Sequence, residues 1–358
     1  MSSNLKKNII THGLIILGFF LVNFAIHYPS FLSNKNINQH DILQGQGGNS
    51  QLQSYRTETG EEALWNPYMF GGMPAYLTGV QYPGDLIVHV YKIIRLGMNH
   101  PDGILFVAFV SFYVLLLSFK VRPLIAAAGA IAFGLNGFNV IGIMAGHNAK
   151  IAAVAFMPLV LAGVHLAFSG KRWLGFGLTA LSLGLQIRTN HPQITYYLAI
   201  IIAAYGINVL IQTIRSKDYK SFGVNAALMI LAATIAVGAN YGRLATTLEY
   251  SKYSIRGKSE LKADQASSSG LDKEYAFRYS NGILEPLFLF VPNILGGSSQ
   301  QELSTKSAVA EAFKKAGYNR SQIAQQVQAV PTYWGEQPLT APYYAGTLTV
   351  LLFLLFFW

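Results

Sequence analysis

Eight apolar runs recur along this chain, at residues 9–26, 103–119, 123–144, 151–168, 173–187, 194–214, 222–239 and 342–358, and short basic clusters fall after every second one. Most approach the ~20 residues a helix needs to cross the hydrocarbon of a bilayer; the run at 173–187 is short. Composition agrees. Charged residues make up 12% and hydrophobic residues 52% of the chain, against roughly 25% charged for soluble domains. The expected fold is an all-α polytopic membrane protein with about eight transmembrane helices.

Orientation follows from the cations. Lys6, Lys7, Lys120, Arg122, Lys171, Arg172, Arg215, Lys217 and Lys220 sit in short connections with Asp218 alone beside them, a net +8 of the formal +10. Lys and Arg concentrate in cytoplasmic loops, so that side, with the N-terminus, is expected inside. The basic balance is then topology, and nucleic acid is not a required partner. Lys6 and Lys7 before an apolar run also suit a signal peptide, but no small-x-small site follows Ile26, so the first run reads as a retained helix. With no cysteine, disulfide frameworks and thiolate metal sites drop out.

This topology divides the chain into a first helix at 1–27, an outer loop at 28–102, a six-helix core at 103–239, a second outer loop at 240–341 and a last helix at 342–358. Two tight outer connections, 145–150 and 188–193, lie between the large loops. Long connections inside compact proteins tend to be functional, so both large loops are expected to fold as a cap. Within them, His89, Lys92 and Arg95 recur every three residues on an apolar stretch at 86–97, the pattern of an interfacial helix or of one packed on the cap. The stretch 282–295 is apolar, short and proline-broken, as in a re-entrant or interfacial segment, 305–330 reads as a soluble helical insertion, and 267–270 as a flexible tip. The last run meets the chain end without a polar flank, the expectation for the front part of a longer membrane protein. No internal repeat of fixed period is evident.

The polar residues most like chemistry, Asp41, His147, Arg188 and His191, all fall in outer loops by this reading. Asp41 sits in QHDILQGQG at 39–47, where a carboxylate could act as general base toward a hydroxyl or help hold a divalent metal ion; a solvated turn residue is the plainer alternative. Gly146-His147-Asn148-Ala149-Lys150 and Arg188-Thr189-Asn190-His191 bring cations and hydrogen-bonding groups to the same face. Arg188 could grip a phosphate in bidentate fashion and Lys150 as a point charge, or both could contact lipid headgroups. His147 and His191 lack the spacing of a zinc motif and read as polar substrate contacts. Trp65 to Pro74 forms an aromatic turn suited to a sugar ring, a lipid chain or an aromatic belt. Glu285 and Glu336 are further carboxylates to test, with loop anchoring as the structural reading for each.

These segments together resemble the bacterial YfhO-like membrane proteins of the GT-C superfamily of glycosyltransferases. The resemblance runs through QHDILQGQG (39–47), WNPYMFGGMPAY (65–76), GHNAK (146–150), RTNHPQITYY (188–197), EYSKYSIRGKSEL (249–261), EPLFLFVPNILGGSS (285–299) and YWGEQPLTAPYYAG (333–346); the 305–330 stretch departs from it. It implies a GT-C-like bundle in a bacterial inner membrane that moves a sugar from a polyprenyl-phosphate donor to an envelope acceptor on the outer face. It also implies Asp41 as the catalytic acid/base position, with His40 and Gln44 beside it and His147, Asn148, Lys150, Arg188, Asn190, His191, Glu285 and Glu336 as substrate contacts. No organic cofactor is implied, and metal dependence stays open. A transporter or lipid flippase competes, but it should bury ionisable groups at mid-membrane, and the runs hold Asn136, Asn139, His165, Gln186 and Asn208 with hardly a charge. A non-catalytic scaffold for envelope assembly is the third reading.

Overall fold

The computed structural model describes residues 3–33, 35–254, 257, 273–299, 301–338 and 340–356; the tip at 267–270 lies outside them. Among the described residues each of the eight apolar runs contains helix, although the last is helical only over Thr347–Phe356. Four helices among the described residues are long and apolar enough to cross a membrane: α1 (Ser3–Ser33, apolar from Lys6), α8 (Asn148–Phe168), α10 (Pro192–Ser216) and α11 (Tyr219–Ala239). A fifth is reached if α6 (Pro123–Gly134) and α7 (Gly137–Ala145) count as one interrupted span. The interruption has a local cause, since the Asn136 side chain accepts the Asn139 N–H at 2.9 Å and starts a new helix. The runs at 103–119, 173–187 and 342–358 become α5 (Asp102–Ser118), α9 (Arg172–Arg188) and α16 (Thr347–Phe356), each shorter than 18 residues. Ile200, Ile201, Ile207, Leu210 and Ile211 of α10 and Ile230, Leu231 and Ile235 of α11 are exposed, a surface that water disfavours and lipid accepts.

The chain divides into two compact units, Met1–Leu135 with Gly142–Tyr250, and Asn136–Ile141 with Ser251–Trp358. In the first, α8 packs against α5 and α9, α9 also against α11, and α5 against α6 and α1. Small residues allow the central contact: a Cβ on Gly175 would stand 2.3 Å from the Ala167 nitrogen, and one on Gly163 2.7 Å from the Thr179 nitrogen. Close backbone approach is how helices gain packing energy where lipid competes for side chains. α1 runs past its expected end at residue 26 to Ser33, bending at His27, two residues before Pro29, because proline removes an N–H donor and crowds the preceding turn. Beyond the bend, Ser30 Oγ donates to Asp102 Oδ2 at 2.7 Å, tying α1 to the start of α5.

The loop at 28–102 is folded: α2 (His40–Gly48), α3 (Ser50–Thr59), a hairpin of β1 (Trp65–Asn66) with β2 (Met73–Pro74), and α4 (Leu86–Ile94). α12 (Tyr241–Ser251) closes the first unit; in the second, α13 (Lys273–Phe277) is a single turn, and the 282–295 stretch holds a 3-10 turn, Glu285–Leu289. The expected helical insertion is α14 (Ala308–Lys315) and α15 (Arg320–Ala329), joined over Ala310, Ile323 and Val327. Asn319 and Gln322 close a capping box at the start of α15.

Candidate functional site

Asp41 is the first correction to the sequence reading, because it lies in the first turn of α2 and not in a loop. Glycines at 45, 47 and 48 argue against a helix, at about 1 kcal/mol each relative to alanine. Tertiary anchoring overrides them. Gln39, just before α2, is buried; its side-chain amide donates to the Ile143 carbonyl and exchanges two hydrogen bonds with Asn148, at 2.9 and 3.1 Å. Gly48 admits the Met69 side chain, whose Cγ would be 3.0 Å from a Cβ there. Gly146, at φ +92°, lets the first turn of α2 settle on the start of α8: a Cβ would meet Asp41 Cβ at 3.2 Å and Gln39 Cβ at 3.3 Å.

The remaining expected loop positions are helix ends. Arg188 is the last residue of α9, while His147 and His191 stand immediately before α8 and α10. Cations are favoured at a helix C-terminus by the backbone dipole, which suits Arg188. Its guanidinium meets Asp85 at 3.3 Å, and Asp85 also accepts the Ile87 N–H to cap α4. α4 then places Tyr91 and Arg95 one turn apart. The Arg95 guanidinium carbon lies 4.5 Å from the Tyr91 ring centre and that of Arg188 6.0 Å, with the His100 and Phe156 rings each at 5.8 Å. α4 thus leans on α9 and α8 through Tyr91 and Ile87 while keeping a cationic face.

Beside Tyr91 opens a cavity of about 930 Å³. Arg188, Arg243 and His100 supply its charged and titratable wall, amides of Asn36, Asn38, Gln39, Gln46, Asn99 and Asn148 its polar wall, and Ile37, Ile42, Leu43, Ala149 and Ala152 its apolar wall. Arg188 feels Arg243 and Arg95 as like charges and Asp85 as the opposing one. Nε of Arg188, and Nε and Nη1 of Arg95, are buried without hydrogen-bond partners. Buried donors left unmade cost about 1–3 kcal/mol each, so these guanidinium atoms are a local cost of the packing around Tyr91. His100 opens on the cavity and keeps an exposed surface; partial loss of hydration pushes its pKa down to about 4, with Arg95 and Arg188 adding to the effect.

The other expected site residues divide among neighbouring places. Asp41 turns from the cavity: its carboxylate lies 3.3 Å from His147 Nε2, both half exposed, and on a separate pocket of about 300 Å³ that Arg56 also lines. Arg56 itself is held by Glu62 through two bonds, at 2.6 and 2.7 Å. His40 and Gln44 hydrogen-bond each other at 3.0 Å on the exposed side of α2. Lys150, His147 and His191 border a third pocket of about 260 Å³; there burial lowers the pKa of His191, with the charge of Lys150 second. Asn190, at φ +55°, lies beside an apolar pocket with His191. Asn148 serves both as amide partner of Gln39 and as cavity wall.

Glu285 and Glu336 belong to the second unit. The Glu285 carboxylate is 1% exposed and takes hydrogen bonds from the Tyr333 hydroxyl, the Gly282 N–H and the Gln337 N–H. Burial raises its pKa, but these donors outweigh it and the net shift is downward, while burial and the facing Glu285 raise that of Tyr333. Glu336 is exposed, its carboxyl lying over Gly282. Among the described residues no group of three or more His, Asp or Glu gathers closely enough to hold a metal ion.

Sequence reasoning missed His100, Tyr91 and Arg243. Arg243 carried a signal: it is a cation just beyond the apolar run at 222–239 and outside the short basic connections. No protein-family model, no curated protein and no solved structure matches this chain. The fold and site therefore define a class only, a multi-helix membrane protein with a cationic cavity at the helix ends.

Proposed function

We propose that this chain is a membrane glycosyltransferase related to the YfhO-like GT-C proteins, binding the phosphate of a polyprenyl-phosphate sugar in the 930 Å³ cavity and transferring the sugar to an envelope acceptor. One observation carries the reading: Arg188 and Arg243 share a cavity wall with hydrogen-bonding amides and an apolar strip. Guanidinium matches phosphate, amides match sugar hydroxyls, and the apolar strip suits the first isoprene units. Negative charge grows on the departing phosphate during transfer, so fixed cations there lower the barrier. The same reading takes all eight apolar helices across a bacterial inner membrane, the N-terminus inside and the cavity outside.

Asp41, the base of the sequence reading, stands outside the cavity wall. That favours one second reading: a lipid-phosphate carrier or scaffold that holds the same headgroup without chemistry. Radiolabelled polyprenyl-phosphate sugar supplied to the protein in nanodiscs decides between them. Transfer that is lost in Arg188→Gln and Arg243→Gln supports the transferase. Binding that depends on both arginines, with no turnover against any offered acceptor, supports the carrier.

A further inference from the structure

We propose that His100, and not Asp41, accepts the proton of the acceptor hydroxyl in this cavity. The inference rests on the transferase reading above and supplies the group which that reading lacks. A displaced hydroxyl proton needs an acceptor within hydrogen-bond reach of the reacting atoms. Among the described residues of the wall there is one candidate. No carboxylate lines the cavity, Arg188 and Arg243 are donors only, the amides hold no proton-accepting nitrogen, and burial pushes the Tyr91 phenol up and keeps it protonated. His100 opens on the cavity, its ring set against Tyr91, and no hydrogen bond to the described residues occupies its nitrogens.

The step balances as a displacement. The acceptor oxygen bonds to the anomeric carbon, the bond from that carbon to the phosphate oxygen breaks with its electron pair leaving on the phosphate, and the hydroxyl proton passes to a ring nitrogen of His100 and on to water. Charge explains the timing. Arg95 and Arg188 act on the ring as like charges and Arg243 lines the same cavity, so an imidazolium in the empty cavity is repelled; partial desolvation and the first two cations push the His100 pKa down to about 4. A bound phosphate neutralises the guanidiniums and adds negative charge, which raises the proton affinity of the ring. The base gains strength only when the donor is bound, so the empty site stays neutral at the histidine.

The test compares wild type, His100→Gln, His100→Gly and Asp41→Asn in nanodiscs, by transfer from a polyprenyl-phosphate sugar and by binding of the unglycosylated polyprenyl phosphate. His100→Gln should cut kcat by about a hundredfold or more, leave lipid-phosphate binding within about threefold, and remove the acid limb of the pH–rate profile. His100→Gly should recover turnover with added imidazole. Equal turnover in wild type and His100→Gln overturns the proposal, as does loss in Asp41→Asn with retention in His100→Gln. A wild type that binds the lipid phosphate but never transfers contradicts the parent reading instead, and a His100→Gln protein that has lost binding marks the residue as a binding group and overturns the catalytic role.

Discussion

The side-chain amides of Gln39 and Asn148, 109 positions apart, hydrogen-bond each other twice, at 2.9 and 3.1 Å. Through them the first turn of α2 is pinned to the start of α8, and one edge of the cavity wall becomes rigid. Replacing either residue by leucine strands the partner amide, which costs about 1–3 kcal/mol. Thermal unfolding in nanodiscs should show that loss for Gln39→Leu and Asn148→Leu singly, and a double variant much less affected than their sum. Additive losses would mean the two amides act independently.

Gly146 adopts φ +92° and faces Asp41 and Gln39 at near-contact distance. Alanine there meets both a strained backbone, at roughly 1–2 kcal/mol, and a wall that must give. Gly146→Ala should therefore lower Tm and weaken lipid-phosphate binding together, because α2 forms part of the cavity. A lower Tm with unchanged binding would separate α2 from the ligand site.

Asp85 restrains Arg188 with one oxygen and caps α4 with the other. Asparagine keeps an acceptor for the Ile87 N–H but removes the competing charge. Titration of the Asp85→Asn variant with a short-chain polyprenyl phosphate should show severalfold tighter binding and a steeper salt dependence. Weaker binding would show that the pair positions Arg188 more than it neutralises it.

The pKa of His100 falls from 6.5 to about 4 on folding. Between those values the unfolded chain binds the proton and the folded one does not, so stability is complete above about pH 6.5 and drains away as pH falls toward 4. Water in the open cavity softens the effect. Unfolding of wild type and His100→Gln between pH 7.5 and 5 should show a larger decline for wild type; parallel declines would mean the ring is as well hydrated as in the unfolded chain.

In the second unit, Glu285 takes three hydrogen bonds from donors, and a glutamine amide would turn an N–H₂ toward at least one of them. Glu285→Gln should raise hydrogen exchange of the 282–299 and 331–337 backbone. Unchanged exchange would contradict its role as an anchor.

The apolar runs were legible as helical segments because runs of this kind have few other uses, although among the described residues only four helices, or five with the bent pair, are long and apolar enough to cross a membrane. α2 was not, since three glycines hide a helix whose support comes from Asn148 and Gly146 a hundred residues away. The same distance problem hid the cavity. Arg188 stood out as an outer cation, but its company with Tyr91, Arg95 and His100 depends on α4 leaning against α9. Charge without neighbours also paired Arg188 with Lys150 and Asp41, which the fold sets on three different pockets.

The claim that the arginine-walled cavity binds a lipid-linked phosphate is tested most directly by the affinity of a fluorescent short-chain polyprenyl phosphate for wild type and the Arg188→Gln/Arg243→Gln protein in nanodiscs. Two charge-assisted contacts at about 1.5–3 kcal/mol each predict saturable wild-type binding that weakens by roughly a hundredfold or more in the double variant. Equal affinity in a variant that keeps the wild-type Tm would contradict it.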